Sequence, residues 1–245
     1  MKIFILLITI LSFTEARKTV VKLATLAPEG TEWHGMLMEM GQEWRKTSKK
    51  AVQLRVYPGG VIGDERDMVR KMRIGQIHAA AITTEGLSEI VPDFSAYFVP
   101  LAFQNSEDID NVTEALLPGL EQKLEKNGFK LLHLGELGWA YWFSSKPLRT
   151  PNDLKKMKIF TWAGDFKWER LWEKAGYNPV PLASVDILSG LQTGLINTYS
   201  TIPLYALAQQ SFGIANHMLD LKWGVLMAGI VIDLRTWRRI PKKYH

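Results

Sequence analysis

Cysteine is absent from the whole 245-residue chain. Its absence excludes a disulfide framework, a thiolate metal site, a cysteine nucleophile and a lipoprotein-type anchor. Long apolar runs are scarce too. The run Ile3–Leu11 is too short for an ordinary transmembrane helix. It follows Lys2 and precedes the small residue Ala16, a pattern typical of a secretory signal. We therefore expect residues 1–16 to be a signal peptide, cleaved or kept as a tether, on an exported periplasmic protein.

Catalytic and metal-binding motifs are also missing. The five histidines show no metal-ligand spacing, so the sequence predicts neither a metal site nor a cofactor. No G-x-S-x-G, S-x-x-K or H-E-x-x-H pattern occurs, and the loop Gly59–Gly63 matches neither the Walker pattern nor G-x-G-x-x-G. An enzyme on a two-lobed α/β scaffold is thus a rival without a positive signal, and we expect a protein that is not an enzyme.

Charge of one sign is not concentrated in any stretch. The net charge is +5 and the pI is about 9.3, but basic pairs such as Lys49-Lys50 and Arg238-Arg239 alternate with acidic residues. This alternation is typical of solvated faces and not of a nucleic-acid footprint, so we expect no nucleic-acid partner.

Hydrophobic periodicity divides the chain into two similar halves. Each half has the order β-α-β-α-β, which predicts a parallel sheet with crossover helices. A strand at Phe129–Leu137 is long enough to leave one lobe and enter another, and Val225–Asp233 is predicted to be the return strand. We therefore expect an α/β fold with lobe I at residues 17–138 and 225–245 and lobe II at residues 139–224. The segment Thr236–His245 resembles the onset of another helix, so we also expect further C-terminal helices.

Aromatic residues are concentrated near the predicted crossover. Five of the nine tryptophans lie within 34 residues: Trp139, Trp142, Trp162, Trp168 and Trp172. Trp168 and Trp172 share a predicted helix face and are expected in the core. Around Trp142, aromatic residues alternate on both sides of an extended segment. This pattern fits either a groove lined on one side or a core packed on both, and the sequence alone does not choose between them.

The stretch Pro147–Gly164 begins as a capped turn and ends as the strand Lys158–Trp162. Together with Tyr57–Asp64, Asn178–Leu182 and Leu191–Asn197, it resembles the periplasmic solute-binding proteins of TRAP transporters, the DctP/SiaP-like family. The resemblance runs from about Val20 to the last residue. It implies a two-lobed periplasmic-binding-protein-like fold with hinge strands, an interlobe ligand cleft and delivery of the ligand to TRAP permease membrane subunits.

The chain departs from the family where polar ligand anchors are expected. Phe160 occupies the position of the arginine that pairs with a substrate carboxylate, and Ala140 the position of a second arginine. Leu26 and Thr83 stand where an asparagine and an acidic residue are expected, while Glu65 keeps an acidic position. The ligand-binding residues expected from this comparison and from the aromatic pattern are Leu26, Trp33, Glu65, Thr83, Ala140, Trp142, Phe160, Trp162, Tyr199, Ile202 and Trp223.

The loss of these anchors predicts a hydrophobic ligand, such as a fatty acid, because an unpaired carboxylate in a closed cleft costs several kcal/mol. In this respect the chain resembles variants that work beside a TPR-repeat lipoprotein. Two alternatives remain. An organic acid bound through another cation, Arg66 or Arg149, is the first. A periplasmic lipid chaperone or sensor that never meets a permease is the second.

Overall fold

A computed structural model describes residues 18–245, so the predicted signal peptide lies outside the described residues. The strands are β1 (Thr19–Thr25), β2 (Val52–Tyr57), β3 (Ala79–Thr83), β4 (Phe129–Ser144), β5 (Lys158–Trp162), β6 (Asn178–Leu182), β7 (Thr198–Thr201) and β8 (His217–Asp233). The α helices are α1 (Glu32–Thr47), α2 (Glu65–Arg73), α3 (Thr84–Ser88), α4 (Ser106–Lys126), α5 (Pro151–Leu154), α6 (Phe166–Lys174), α7 (Ile187–Gln192), α8 (Pro203–Ala208) and α9 (Leu234–Trp237). No helix within residues 18–245 has both the length and the apolar character needed to cross a membrane.

The strands form one eight-stranded sheet in the order β2-β1-β3-β8-β4-β7-β5-β6. β1 pairs in parallel with β2 and β3, and β5 pairs in parallel with β6 and β7. Two parallel units thus lie at opposite ends of the sheet, which confirms the predicted α/β fold with two lobes.

Two long antiparallel strands, β4 and β8, join the lobes. The sequence places the crossover strand at Phe129–Leu137 and the return strand at Val225–Asp233, and both predictions are too short: each strand continues through the second lobe. Their pairing is interrupted by register shifts, and the shift beside Ala140 leaves extra residues in β8 before Gly224. Irregular pairing of this kind bends a strand, so the middle of β4 and β8 is where the sheet can flex.

Each lobe buries apolar residues on both faces of its half of the sheet. In lobe I, α2, α3 and α4 cover one face and α1 covers the other. In lobe II, Phe143 and Tyr199 lie in one core, whereas Trp142 lies in a second core with Leu154 and Ile159. The aromatic alternation in β4 is therefore explained by a core on each face of the sheet.

Some local predictions need correction. The segment between β3 and α4 contains α3 and a 3-10 helix at Pro92–Phe98. Trp168 and Trp172 are only partly buried, because α6 lies on the surface of lobe II and buries none of its residues fully. A helical stripe of large aromatic residues can mark a half-covered surface as well as a core.

Candidate functional site

A cavity of about 450 Å³ lies between the two lobes, beside the hinge strands. Lobe I contributes residues at the ends of β1 and β3 and from the start of α1 and α2. Lobe II contributes the end of β5 and the segments that lead into α7 and α8. In both lobes these are the carboxyl ends of parallel strands, where α/β sheets place their ligands. The parallel topology therefore brings side chains distant in the sequence to one cleft.

Nine of the eleven predicted ligand-binding residues line this cavity: Leu26, Trp33, Glu65, Thr83, Ala140, Phe160, Trp162, Ile202 and Trp223. Phe160 and Trp162 form part of the lobe II wall, with ring centroids 5.3 Å apart in an edge-to-face arrangement. Trp162 also donates its indole N–H to Ser184 Oγ at 2.6 Å, which fixes the ring beside α7. The end of β5 thus presents aromatic rings to the cleft.

The structure does not place Trp142 and Tyr199 at the cavity. Trp142 lies one aromatic layer behind Trp223, with ring centroids 5.3 Å apart, and only 3% of it is exposed. Tyr199 stacks on Phe143 inside lobe II, and its hydroxyl hydrogen-bonds with Ser211. Neighbouring residues of a strand face opposite sides of the sheet, and the side chain of Tyr199 faces the lobe II core instead of the cleft.

Other lining residues were missed in the sequence. Phe98 contacts the cleft from lobe I and meets Trp162 edge to face, with centroids 6.2 Å apart. Tyr205 reaches the cleft from the first turn of α8, which begins at Pro203. Phe98 ends the 3-10 helix before α4, and Tyr205 lies in the first turn of α8; neither segment has a sequence pattern that indicates a ligand cleft.

Glu65 is a buried carboxyl that is held by lobe I itself. Only 4% of the residue is exposed, and its oxygens accept hydrogen bonds from Thr83 N at 2.8 Å, Thr83 Oγ1 at 2.7 Å and Gly86 N at 2.9 Å. Burial raises its pKa to about 7, although the hydrogen bonds from Thr83 and Gly86 oppose the shift. The carboxyl therefore ties the start of α3 to α2 and forms part of the cavity wall.

No lysine or arginine of residues 18–245 lines the cavity; its titratable lining groups are Glu65, Glu136, His133, Tyr97 and Tyr205. Arg66 lies in α2, where its guanidinium pairs with Glu89 and donates to the Ala163 carbonyl at 3.4 Å. Arg149 is exposed just before α5. Neither proposed cation is therefore placed in the cavity wall.

Glu85 is a second carboxyl with a raised pKa. Burial raises the pKa of Glu85 to about 8, with further increases from the charges of Asp165, Glu65 and Glu89, while Arg66 opposes them. The folded state therefore keeps a proton that the unfolded state loses above about pH 4.5. The tighter binding of this proton stabilises the folded protein at low pH, and the stabilisation falls as the pH rises towards 8.

Glu85→Gln is expected to reduce the loss of stability between pH 5 and pH 8, because the amide cannot lose a proton. The measurement is the urea midpoint at both pH values. The midpoint of the unsubstituted protein should be lower at pH 8, and that of the variant should fall by less. Glu114→Gln, at an exposed position of α4, is the control and should follow the unsubstituted protein. Equal falls in all three proteins would contradict the assignment to Glu85.

Within residues 18–245, histidine and carboxylate residues form no group of three or more that could hold a metal ion. The residues of the cleft instead offer apolar surface and hydrogen-bonding groups. Such an arrangement can enclose a small molecule and orient it through a few polar contacts.

Comparison with known proteins identifies relatives along most of the chain. A curated solute-binding protein of Roseobacter denitrificans is 26% identical over 74% of this chain. The C4-dicarboxylate-binding periplasmic protein DctP of Rhodobacter capsulatus is 22% identical over 80% of it. The chain spans 56% and 59% of the lengths of these two relatives.

Solved structures share the fold. A TRAP periplasmic solute-binding protein from Pseudomonas putida F1 with bound D-glucuronate matches 92% of this chain and 74% of its own, with a TM-score of 0.84 and 21% identity. A Roseobacter denitrificans protein with bound L-galactonate matches 93% of this chain and 76% of its own, with a TM-score of 0.85 and 20% identity. Both are described as TRAP periplasmic solute-binding proteins, so the two-lobed fold is the one found in that class.

The family model for bacterial extracellular solute-binding proteins of family 7, named DctP, matches residues 23–245. That range includes both lobes and every residue that lines the cleft. The chain belongs to the bacterial extracellular solute-binding protein family 7, the DctP family.

Proposed function

We propose that this protein captures a small solute between its two lobes and delivers it to the membrane subunits of a TRAP permease. The observation that carries the proposal is the cavity at the carboxyl ends of the parallel strands of both lobes, beside the two irregularly paired hinge strands. Membership of the DctP family supports the transport role. We further propose the lobe boundaries 17–138 with 225–245 and 139–224, and a periplasmic location.

A small organic acid is the ligand class that the comparisons favour. The solved structures carry D-glucuronate and L-galactonate, and the Rhodobacter capsulatus relative is named for C4-dicarboxylates. The hydrophobic ligand expected from the sequence has no support from these relatives. We therefore place the organic acid first.

Arg66 is the better candidate of the two cations for such an acid. Its guanidinium reaches from α2 to the backbone of lobe II, whereas Arg149 is exposed beside α5. To pair with an acid, Arg66 would have to turn away from Glu89. Ser200 in the cavity wall offers a hydroxyl group for the ligand's remaining polar atoms.

A hydrophobic ligand is the second candidate, and the composition of the cavity wall favours it. Aromatic and aliphatic side chains form most of the lining, and no lysine or arginine of the described residues is among them. Enclosing about 200 Å² of apolar ligand surface contributes roughly 5 kcal/mol at about 25 cal/mol per Å². Such a ligand needs no ion pair.

The proposed partners are supported to different degrees. Permease membrane subunits fit the family, whereas the comparisons lend no support to a TPR-repeat lipoprotein, which stays a prediction from resemblance alone. A lipid chaperone or sensor without a permease would use the same cleft. Gene neighbourhood distinguishes these roles.

Identification of the bound molecule tests the ligand class. Protein purified from its host is analysed by native mass spectrometry, then stripped by unfolding and refolding, and titrated calorimetrically with D-glucuronate, succinate and a fatty acid. We expect an organic acid to co-purify and Arg66→Gln to weaken its binding at least about tenfold, the loss typical of a charged hydrogen bond. Arg149→Gln is the matched control and should have no effect.

Phe160→Arg gives a second, independent readout. An added guanidinium in the cleft should tighten the binding of an acid and weaken that of an apolar molecule. Co-purification of an apolar molecule whose binding is weakened by this substitution would overturn the organic-acid assignment and establish the second candidate.

A further inference from the structure

The start of α2 is the place where lobe I bonds directly to lobe II. Asp64, the residue that caps α2, uses its two carboxylate oxygens differently. Oδ1 accepts the Glu65 N–H of its own helix at 2.8 Å, and Oδ2 accepts the Ser184 N–H of lobe II at 2.7 Å. Ser184 is buried and begins a 3-10 helix just before α7. This hydrogen bond to a charged group therefore joins two helix starts across the cleft.

Arg66, two residues further along, makes a second connection. Glu89 holds its guanidinium, with Nε at 2.7 Å from the carboxylate, and Nη1 donates to the Ala163 carbonyl of lobe II at 3.4 Å. The guanidinium lies over the backbone of Gly164, where a Cβ atom would stand only 1.6 Å from Nη1. Gly164 also has φ +93°, so glycine suits the conformation as well as the close approach.

Close packing accompanies these polar bonds. A Cβ atom on Gly60 of lobe I would stand 2.4 Å from Val185 of lobe II. Phe98 of lobe I meets Trp162 of lobe II edge to face. The lobes therefore contact each other directly, through backbone and side chains.

We propose that the α2 clasp, formed by Asp64 on Ser184 and Arg66 on Ala163, holds the lobes closed and that the closed form is well populated without ligand. The physical reason is that closure in this chain gains free energy from bonds between the lobes themselves. The cavity wall offers no lysine or arginine of the described residues for a ligand to bridge. The bond from Ser184 to Asp64 involves neither candidate cation, so it does not depend on whether the ligand is an acid or an apolar molecule.

Ser184→Pro removes the clasp's donor with little other change. Proline lacks the N–H, and its ring is accepted at the first position of a helix. The preceding residue, Ala183, has φ −69° and ψ 147°, a conformation that a following proline favours. Ser184→Ala keeps the N–H and loses only the hydroxyl that accepts from Trp162, so it is the matched control.

Asp64→Asn is a second variant that retains the helix cap, because asparagine caps helices as well as aspartate does. The Glu65 and Ser184 N–H groups face different oxygens of the carboxylate, and in asparagine one of these oxygens becomes an NH₂ group that cannot accept a hydrogen bond. With the oxygen kept at the helix cap, the bond from Ser184 is lost. The two variants should be non-additive, since each breaks the same bond.

The open and closed populations are measured by electron–electron double resonance between nitroxides on Gln42→Cys of α1 and Glu173→Cys of α6. Both positions are exposed, and the chain has no other cysteine to label. The ligand is first removed by unfolding and refolding, and native mass spectrometry checks its absence. We expect a short closed-form distance in the ligand-free protein and in Ser184→Ala.

In Ser184→Pro and in Asp64→Asn the ratio of open to closed protein should rise at least about fivefold, the change expected from one lost hydrogen bond. Circular dichroism checks that each variant is folded. An entirely open ligand-free protein, or equal distance distributions in the proline and alanine variants with Asp64→Asn unchanged, would overturn the clasp. Because no ligand is present, this result is separate from the test of ligand class.

Discussion

Replacing Phe160 with alanine is expected to lower the free energy of unfolding by about 3 kcal/mol, the lower end of the range for a buried phenylalanine. Only 7% of Phe160 is exposed, and its ring packs in the lobe II core with Phe143, Ile187 and Leu191. The ring also faces Trp162 at 5.3 Å. Its removal takes away both sets of contacts. We expect a loss at the low end of that range because the space left by the ring joins the existing cavity.

Urea denaturation followed by far-ultraviolet circular dichroism measures the effect. Phe160→Leu is the matched control: it retains most of the apolar volume and should cost about 1 kcal/mol. A loss below about 1 kcal/mol in the alanine variant would show that the ring is not part of the lobe II core. In that case Phe160 would only line the cleft, and its replacement would change ligand affinity without lowering the free energy of unfolding.

The double role of Phe160 explains why its position could be predicted and its packing could not. The strand Lys158–Trp162 is evident from its β-branched and aromatic residues, and the resemblance places its end at the ligand. The sequence does not reveal that the same ring is also covered by α7. That contact depends on how the crossover helix lies on the sheet, which local patterns do not determine.

The same limit separates the predicted residues that line the cavity from those that do not. Leu26 follows β1, Thr83 ends β3 and Phe160 lies in the middle of the short strand β5, so the parallel topology brings them to the cleft. Tyr199 is also on a strand, but its direction depends on the register of β7 against β4. A shift of one residue would reverse which side chains face the core, and nothing local in the sequence fixes it.

The length of the hinge strands was underestimated for a related reason. β4 and β8 contain glycines and register shifts in their middle, and these interrupt the alternation by which strands are detected. The two halves of each strand therefore resemble separate elements. The irregularity that hides the strand in the sequence is also the feature that allows it to bend between the lobes.

Glu65→Ala is expected to lower the free energy of unfolding by about 3 kcal/mol at pH 6. The substitution leaves two buried backbone donors, Thr83 N and Gly86 N, without their acceptor, and each such loss costs about 1–3 kcal/mol. It also removes the acceptor of the Thr83 hydroxyl, whose oxygen caps α3 by accepting the Glu85 N–H. Asp67→Ala, at a more exposed position of the same helix, is the control and should cost less than about 0.5 kcal/mol.

The pH dependence of this loss provides a further check on its cause. The pKa of Glu65 is raised from 4.5 to about 7, so the folded state loses stability relative to the unfolded state as the pH rises through that window. The unsubstituted protein therefore carries more of this penalty at pH 8 than at pH 6, whereas the alanine variant carries it at neither. The cost of Glu65→Ala should therefore be smaller at pH 8 than at pH 6.

A ligand-contacting role for Glu65 would give a different pattern. Glu65→Gln keeps the size of the side chain but presents an NH₂ group to one of its donors, so a structural role requires a loss of stability and faster hydrogen exchange at Thr83 and Gly86. A residue that acted on the ligand alone would leave stability and exchange unchanged and alter only affinity. We expect the first pattern, because the three hydrogen bonds to the carboxyl already occupy both of its oxygens. Glu65, which the resemblance alone assigned to the ligand, then serves to hold the cleft wall in place.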